Sequence, residues 1–477
     1  MKREELIFSV SGLRGIYGET LRTDDIIKYS NAFGLYVKEK NKSKKIVIGR
    51  DGRLYGEIIA NLVISNLFLN GFHITDIGVV PTPTVQIATE YLKAAGGISI
   101  TASHNPQKWN GLKFLNRNGT FLDTPQIEEV NKILRLIKKG STRFSETQFC
   151  ELKSTVKDIS WIDRHIEKAL NVKFINRKAI RERKFKVVVD AVNSSGSIIV
   201  PKLLRKLGCR VIELFTDCSG IFPHNPEPIP ENLKILMSEV VQNKADMGIA
   251  VDPDSDRLVL ITDKGEPFGE ENTITTAVKH ILRKITAKNN KVTVNLSTTR
   301  AVRDIARGFS AEVITTPVGE INVVSEMKRN GSCIGGEGSG GIILPDKYGG
   351  HYGRDAITGI VLILNELAGF KGKLSEYKKT LPEYHIIKNK IITGDGRNRK
   401  LNSGDKILEN IKKKFKNRKD CGINLKDGIK LDFKDYWIHL RKSNTEPIIR
   451  IITEAHSKAQ AEELQKNFIK HFIKRKI

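Results

Sequence analysis

The chain has 477 residues, room for about three or four domains at roughly 100–200 residues each. Apolar residues make up 39% and charged residues 28%, which excludes a disordered chain, a collagen-like chain and a multi-span membrane protein. With 80 Lys and Arg against 54 Asp and Glu the formal net charge is +26; this favours anionic partners (nucleic acid, an anionic membrane surface or phosphorylated small molecules), or reflects a general drift toward Lys and Ile.

In chain order, Met1 to Val10 carries Lys2, Arg3, Glu4 and Glu5 before an apolar stretch too short for a signal-peptide core. A layout of strand, polar turn, amphipathic helix, second strand and third apolar run then occurs three times. The first strands are Ile46 to Ile48, Val187 to Val189 and Val292 to Val294. Their turns are Gly49 to Arg53, Asn193 to Gly196 and Ser297 to Arg300. The second strands are Phe72 to Ile77, Arg210 to Phe215 and Ala311 to Thr315. The third runs, Gly97 to Ile100, Met247 to Val251 and Cys333 to Ile334, each open into an unusual loop. Such alternation predicts α/β units whose sheets are covered on both faces, with ligands gathering beyond the carboxyl ends of the strands.

After about residue 370 the pattern changes. Lys371 to Lys379 reads as a charged linker, Lys406 to Lys419 as a basic helix, Trp437 to Leu440 and Ile448 to Thr453 as strands flanking a loop, and Ala455 to Lys474 as a closing helix. The expected architecture is three similar α/β domains with mixed sheets (1–155, 156–258 and 259–370) and a smaller C-terminal α+β domain (371–477) around a central cleft. No apolar run approaches the roughly 18–20 residues that span a bilayer. The five cysteines (Cys150, Cys209, Cys218, Cys333, Cys421) form no CxxC and fit reduced thiols better than a disulfide scaffold or a zinc site. A cytoplasmic protein is expected. Aromatic residues are only 7%, and no nucleic-acid-binding module is present, so a nucleic-acid partner is not expected.

Five loops carry chemistry. Ser11-Gly-Leu-Arg-Gly15 places Arg14 between glycines. In Thr101-Ala-Ser-His-Asn-Pro106, Ser103 is either a turn residue or a nucleophile. No Gly-x-Ser-x-Gly elbow surrounds it, and the adjacent His104 is poorly placed as its base. A serine that carries a phosphoryl group needs little base, because cations supply most of the electrostatic work. Asp252, Asp254 and Asp256 crowd three carboxylates just past an apolar strand, a cost that a hard divalent cation such as Mg²⁺ removes. Arg257 adds a cation that can reach phosphate. An EF-hand is excluded, because Arg257 stands at the position of its glycine and Asp263 at its last ligand position. Gly335-Gly-Glu-Gly-Ser-Gly-Gly341 is either a flexible turn or a close-approach loop in which Glu337 and Ser339 bind vicinal sugar hydroxyls. It is not a Walker motif. Arg441-Lys-Ser-Asn-Thr-Glu-Pro447 with Arg450 gathers guanidiniums, hydroxyls and an amide suited to a phosphate dianion.

Phe8-Ser-Val-Ser-Gly-Leu-Arg-Gly15, Thr101 to Pro106 with Asn110-Gly-Leu-Lys113, Asp252-Pro-Asp-Ser-Asp-Arg257, Gly336-Glu-Gly-Ser-Gly340 and Arg441 to Pro447 together resemble the α-D-phosphohexomutase superfamily over essentially the whole chain. The resemblance implies a mutase that interconverts hexose 6-phosphate and hexose 1-phosphate through a phosphoserine and a 1,6-bisphosphate. The bisphosphate would also serve as activator. Ser103 would be the phosphorylated serine, and one Mg²⁺ would sit on Asp252, Asp254 and Asp256 with a Ser103 phosphate oxygen. Arg14, His104, Lys113 and Arg257 would line the transfer centre, with Lys113 a candidate general acid/base. Glu337 and Ser339 would read the sugar, and Arg441, Ser443, Asn444, Thr445 and Arg450 would hold the distal phosphate. Gly341 and Glu320 stand where relatives carry histidines, and His351, in Tyr348 to Asp355, is a candidate to supply the missing imidazole. The wording, including Pro223-His-Asn-Pro-Glu-Pro228, leans toward bacterial phosphoglucosamine mutase, with glucose- and mannose-phosphate activity as alternatives.

Overall fold

A computed structural model describes residues 6–139, 155–286, 290–392, 403–442 and 448–473. They form four sheets, and the first three share one pattern. In the second unit, Lys186–Asp190 is flanked by parallel strands Arg210–Leu214 and Met247–Val251, and Leu258–Thr262 runs antiparallel beside the latter. In the third, Lys291–Asn295 lies between Glu312–Thr316 and Ile334–Glu337, with Gly341–Ile343 antiparallel at the edge. The first repeats this order with His73–Val79, Lys45–Arg50, Gly96–Ile100 and Trp109–Asn116. It grows to seven strands by adding Gly12–Ile16 and Ile7–Ser9 at one edge and Thr155–Lys157 at the other.

The physical reason for the repeat is the β-branched central strand. Ile46, Val47, Ile48, Val187, Val188 and Val189 are all fully buried. A strand apolar on both faces is stable only when helices cover both faces, and this forces crossover connections.

Three sequence expectations are corrected. The boundary at 155/156 cuts the strand Thr155–Lys157, which pairs with His73–Val79 and stays with the first sheet. The boundary at 258/259 falls at the start of Leu258–Thr262, which pairs with Met247–Val251 and stays with the second sheet. The linker expected at Lys371 to Lys379 contains a short helix, Leu374–Lys378. Leu374 and Tyr377 bury themselves in the core of the second unit, so the apolar members of a charged run decide its place. The helix Ala356–Phe370 explains why the second and third units form one body. It is apolar nearly all round, and such a helix must be buried. Ile360 and Leu364 belong to the second unit's core, and Leu362 to the third's.

The fourth sheet is antiparallel, in the order His385–Ile392, Ile448–Ala455, Trp437–Lys442, Ile429–Phe433, Cys421–Asn424. Leu431, Ile438, Leu440, Ile449 and Ile451 share a core with Ile411 and Phe415 of the helix Ser403–Phe415 and Phe468 of the helix Lys458–Phe468. Period-two alternation therefore turns Lys430, His439, Arg441 and Arg450 to the other face. That face meets the third unit. Lys430 Nζ donates to the Leu296 carbonyl at 2.6 Å, and His439 Nδ1 lies 2.9 Å from Ser297 Oγ. Among the described residues no helix is long and apolar enough to cross a membrane.

Candidate active site

The three equivalent turns after the third strands converge. Each carries a left-handed residue: Ser103 (φ 52°), Ser255 (φ 50°) and Gly340 (φ 85°). The Gly340 carbonyl accepts from the Leu258 amide at 3.0 Å, tying the third turn to the second. Ser103 Oγ donates to Asp252 Oδ2 at 3.3 Å, tying the first to the second.

Asp252, Asp254 and Asp256 are fully buried, and one ligand atom of each lies within 4.8 Å of the others. The surrounding protein holds both oxygens of Asp252 and one oxygen each of Asp254 and Asp256. Asp252 Oδ1 accepts the amides of Asp256 and Arg257, both at 3.1 Å. Asp254 Oδ2 accepts from Lys113 Nζ at 2.5 Å and Thr82 Oγ1 at 2.6 Å. Asp256 Oδ2 accepts from Arg354 at 2.6 Å and Lys113 at 3.4 Å. The opposite oxygens, Asp254 Oδ1 and Asp256 Oδ1, are buried without a partner. Burial and its two neighbours push the Asp252 carboxyl well above the usual range. Burial acts the same way on Asp256, but Arg354 and Lys113 outweigh it and hold that group below the range. Orphaned, buried, anionic oxygens are the donor set of a hard cation, and the residues fit one.

Lys113, on the strand Trp109–Asn116, faces this cluster. Burial opposes its charge, but Asp254 and Asp256 prevail and hold the ammonium above its ordinary value. Arg14 lies on the neighbouring strand, opposite Gly111, and donates to Asn105 Oδ1 at 3.1 Å. Burial lowers its pKa to about 10. His104 Nδ1 is 3.4 Å from Ser103 Oγ and 3.0 Å from Arg257 Nη2. Arg257 and burial hold it well below the usual value, so it is neutral and already accepts a hydrogen bond.

In the third turn both oxygens of Glu337 are engaged. Oε1 accepts from Asn295 Nδ2 at 2.8 Å and the Gly319 amide at 2.9 Å, and Oε2 from Arg354 Nη1 at 2.7 Å. Ser339 is partly exposed. His351 does not join them. It is buried with Nε2 3.3 Å from Gln86 Oε1 and Nδ1 3.8 Å from Asp355, and burial pushes it down to about 3. Arg354 stands at the loop instead: a Cβ on Gly341 would overlap its Cδ. This guanidinium joins Asp256, Glu337 and Glu320, the last at 3.2 Å.

In the fourth unit, Arg441, Arg450 and Lys390 are cross-strand partners on one face. Asp427 lies 3.8 Å from Arg441, whereas Arg450 and Lys390 have no carboxylate partner among the described residues. Like charges directly opposite one another across strands repel, a cost that an anionic group lying over the row would remove. Lys390 was not singled out from the sequence, because one lysine on an exposed strand carries no signal before its register is known. Ser443, Asn444 and Thr445 lie outside the described residues.

The chain is similar to known proteins over nearly its whole length. Family models described as phosphoglucomutase/phosphomannomutase match in order: alpha/beta/alpha domain I at residues 5–141, domain II at 163–265, domain III at 270–384 and the C-terminal domain at 397–471. A phosphoglucomutase/phosphomannomutase of Thermococcus kodakarensis is 34% identical over 459 residues, covering 96% of each chain. A probable phosphoglucosamine mutase of Pyrococcus horikoshii is 34% identical over 471 residues, covering 98% of each. A crystal structure of a phosphoglucomutase/phosphomannomutase family protein from Burkholderia thailandensis superposes with a TM-score of 0.82 at 25% identity, covering 97% of each chain.

Proposed function

Because the chain belongs to the α-D-phosphohexomutase superfamily, a family of enzymes, we propose that it interconverts hexose 6-phosphate and hexose 1-phosphate through phospho-Ser103. The observation that carries this reading is Ser103 Oγ, 3.3 Å from Asp252, beside the two unpaired oxygens of Asp254 and Asp256. A hydroxyl facing three carboxylates is a poor nucleophile site unless positive charge joins it. Asp252, Asp254 and Asp256 would hold one Mg²⁺ together with a Ser103 phosphate oxygen. When bound, the ion supplies charge neutralisation at the phosphoryl oxygens.

This chain's own groups do the rest. The Ser103–phosphorus bond breaks as a bond forms to O1 or O6 of the sugar. Lys113, charged at rest, gives a proton to the departing Ser103 oxygen and takes in its place the proton released by the attacking sugar hydroxyl, so it ends the step as it began. Arg14 and Arg257 stabilise the transferring charge. Arg441, Arg450 and Lys390 hold the phosphate that is not reacting, so the bisphosphate can turn and return its other phosphate to Ser103. Glu337 and Ser339 read the sugar, with Glu337 aimed by Arg354 and Asn295.

Glucosamine phosphate is the preferred substrate in this reading, supported by the name of the Pyrococcus horikoshii relative. The Thermococcus kodakarensis relative supports glucose and mannose phosphates as a second reading. A coupled assay of glucosamine, glucose and mannose 6-phosphates, each primed with its 1,6-bisphosphate, tests both. Fastest turnover of glucosamine 6-phosphate is expected. No turnover of any hexose phosphate would overturn the mutase reading itself.

A further inference from the structure

Ser103 has a conformation that its own chemistry disfavours. At φ 52° a residue with a Cβ sits in the left-handed region, where glycine is the easier choice. A serine persists there only if its surroundings over-determine the turn. Two buried residues on the turn after the first strand, Asp51 and Arg53, do so.

Arg53 is 1% exposed, yet no substrate-facing role is visible for it. Its guanidinium is spent on backbone carbonyls of the Ser103 loop. Nη2 donates to Ser103 at 2.6 Å and Asn105 at 2.7 Å; Nη1 donates to Pro106 and Trp109, both at 2.8 Å. The remaining Nε donates to Asp51 Oδ2 at 3.1 Å. The same carboxylate oxygen accepts from Thr101 Oγ1 at 2.6 Å, and Thr101 Oγ1 in turn accepts the Ser103 amide at 2.8 Å. Both backbone polar groups of Ser103 are thus fixed by one unit: the carbonyl by Arg53, the amide by Thr101 on Asp51. The orientation of Thr101 follows, because its one proton goes to Asp51 and its lone pair is left for the amide.

The unit is also anchored to the aspartate loop. The Gly52 amide donates to Ser194 Oγ at 2.9 Å, and Ser194 Oγ donates to the Pro253 carbonyl at 2.7 Å. Phe222 of the second domain lies 5.0 Å from the Arg53 guanidinium. Ser103 is therefore held in register with Asp252 through Gly52, Ser194 and the Pro253 carbonyl.

We propose that Asp51, Arg53 and Thr101 are positioning residues that hold Ser103 in its left-handed conformation with Oγ aimed at Asp252, and so set the rate of phosphoryl transfer rather than substrate affinity. The inference rests on the reading of Ser103 as phosphoryl carrier. Misplacement of a reacting group by about 1 Å can cost roughly 100-fold in rate.

The test compares Thr101→Val, nearly isosteric but without the hydroxyl, with Thr101→Ser, which keeps it; Arg53→Lys is a second probe. Phosphorylation of Ser103 by hexose 1,6-bisphosphate is followed by peptide mass in single turnover, alongside kcat, KM and Tm. Thr101→Val is expected to lose about 100-fold in transfer rate and kcat with KM within about threefold of the parent, and Thr101→Ser to recover most of the rate. Arg53→Lys should lose rate in the same way, because lysine cannot serve several carbonyls from one planar fork. If Thr101→Val lowers Tm but transfers at the parental rate, or if Thr101→Ser is as slow as Thr101→Val, the positioning role is wrong. If the unsubstituted protein takes up no phosphate at Ser103, the carrier reading fails instead, whatever the variants do.

Discussion

Ser103 Oγ and Asp252 Oδ2, 149 residues apart in the chain, stand 3.3 Å apart across the junction of the first two α/β units. The contact exists because both residues lie in the same turn of the same repeated unit, each just past a fully buried third strand. Folding the repeat twice and facing the copies brings a hydroxyl to a carboxylate cluster. The third copy adds Glu337, linked to Asp256 by Arg354.

The aspartate cluster gives the first prediction. Asp254→Asn removes a negative charge from a hard-cation site and leaves Lys113 without its nearest partner. Calorimetric titration with Mg²⁺ is expected to show an affinity at least about tenfold weaker, the order of effect seen when a metal site loses a supporting group. Mutase activity should vanish in excess chelator and return with Mg²⁺. Full activity after demonstrated metal removal would defeat the assignment.

The cation row separates binding from chemistry. Arg441→Ala should raise KM for the sugar phosphate and lower kcat/KM by roughly 10- to 150-fold, the equivalent of about 1.5–3 kcal/mol for a charge-assisted hydrogen bond. Lys390→Ala should act in the same direction but less, since its amine makes a point contact where a guanidinium can make two. Saturating hexose 1,6-bisphosphate should still phosphorylate Ser103, and affinity for Mg²⁺ should be unchanged in both, as those groups lie on other units. Unaltered KM together with weakened Mg²⁺ binding would contradict the placement.

Acid should loosen the joint between the third and fourth units. His439 is fully buried between Ser297 Oγ and the Asp427 carbonyl at 2.7 Å, and burial pushes it down to about 4 from an ordinary 6.5. The unfolded chain therefore binds a proton at pH 5 that the folded chain refuses, so stability rises with pH there. The contribution is complete above about pH 6.5 and is lost as pH falls toward about 4. Calorimetric melting from pH 7 to 4 should show a smaller fall in Tm for His439→Gln than for the parent. Equal slopes would show that His439 does not carry the effect.

The threefold repeat was legible because β-branched runs such as Val187 to Val189 have only one stable environment, a sheet covered on both faces. Ser103, the three aspartates and Arg257 stood out because charged or reactive residues at such turns are costly without a ligand, whereas Arg14, on the strand Gly12–Ile16, gained a role only through the family resemblance. Arg53 and Arg354 did not stand out. The partners of Arg53 are mostly backbone carbonyls, which carry no sequence signal, and those of Arg354, Asp256, Glu337 and Glu320, belong to three other segments that only the fold brings near. His351 looked like a replacement imidazole because of its place in the chain; its burial against Gln86 and Asp355 takes it out of the loop. The helix Leu374–Lys378 was missed because its buried residues, Leu374, Ser375 and Tyr377, are set among lysines.

The central claim is that Ser103 carries the phosphoryl group, and peptide mass mapping of phosphate tests it most directly. Protein incubated with Mg²⁺ and hexose 1,6-bisphosphate should gain one phosphate, located on Ser103, and lose it on adding hexose 6-phosphate as bisphosphate appears. Ser103→Ala should gain none, keep its fold by circular dichroism, and lose at least roughly 1,000-fold in kcat, as when a covalent nucleophile is removed. A phosphate mapped to another residue, with Ser103→Ala turning over near the parental rate, would contradict the account.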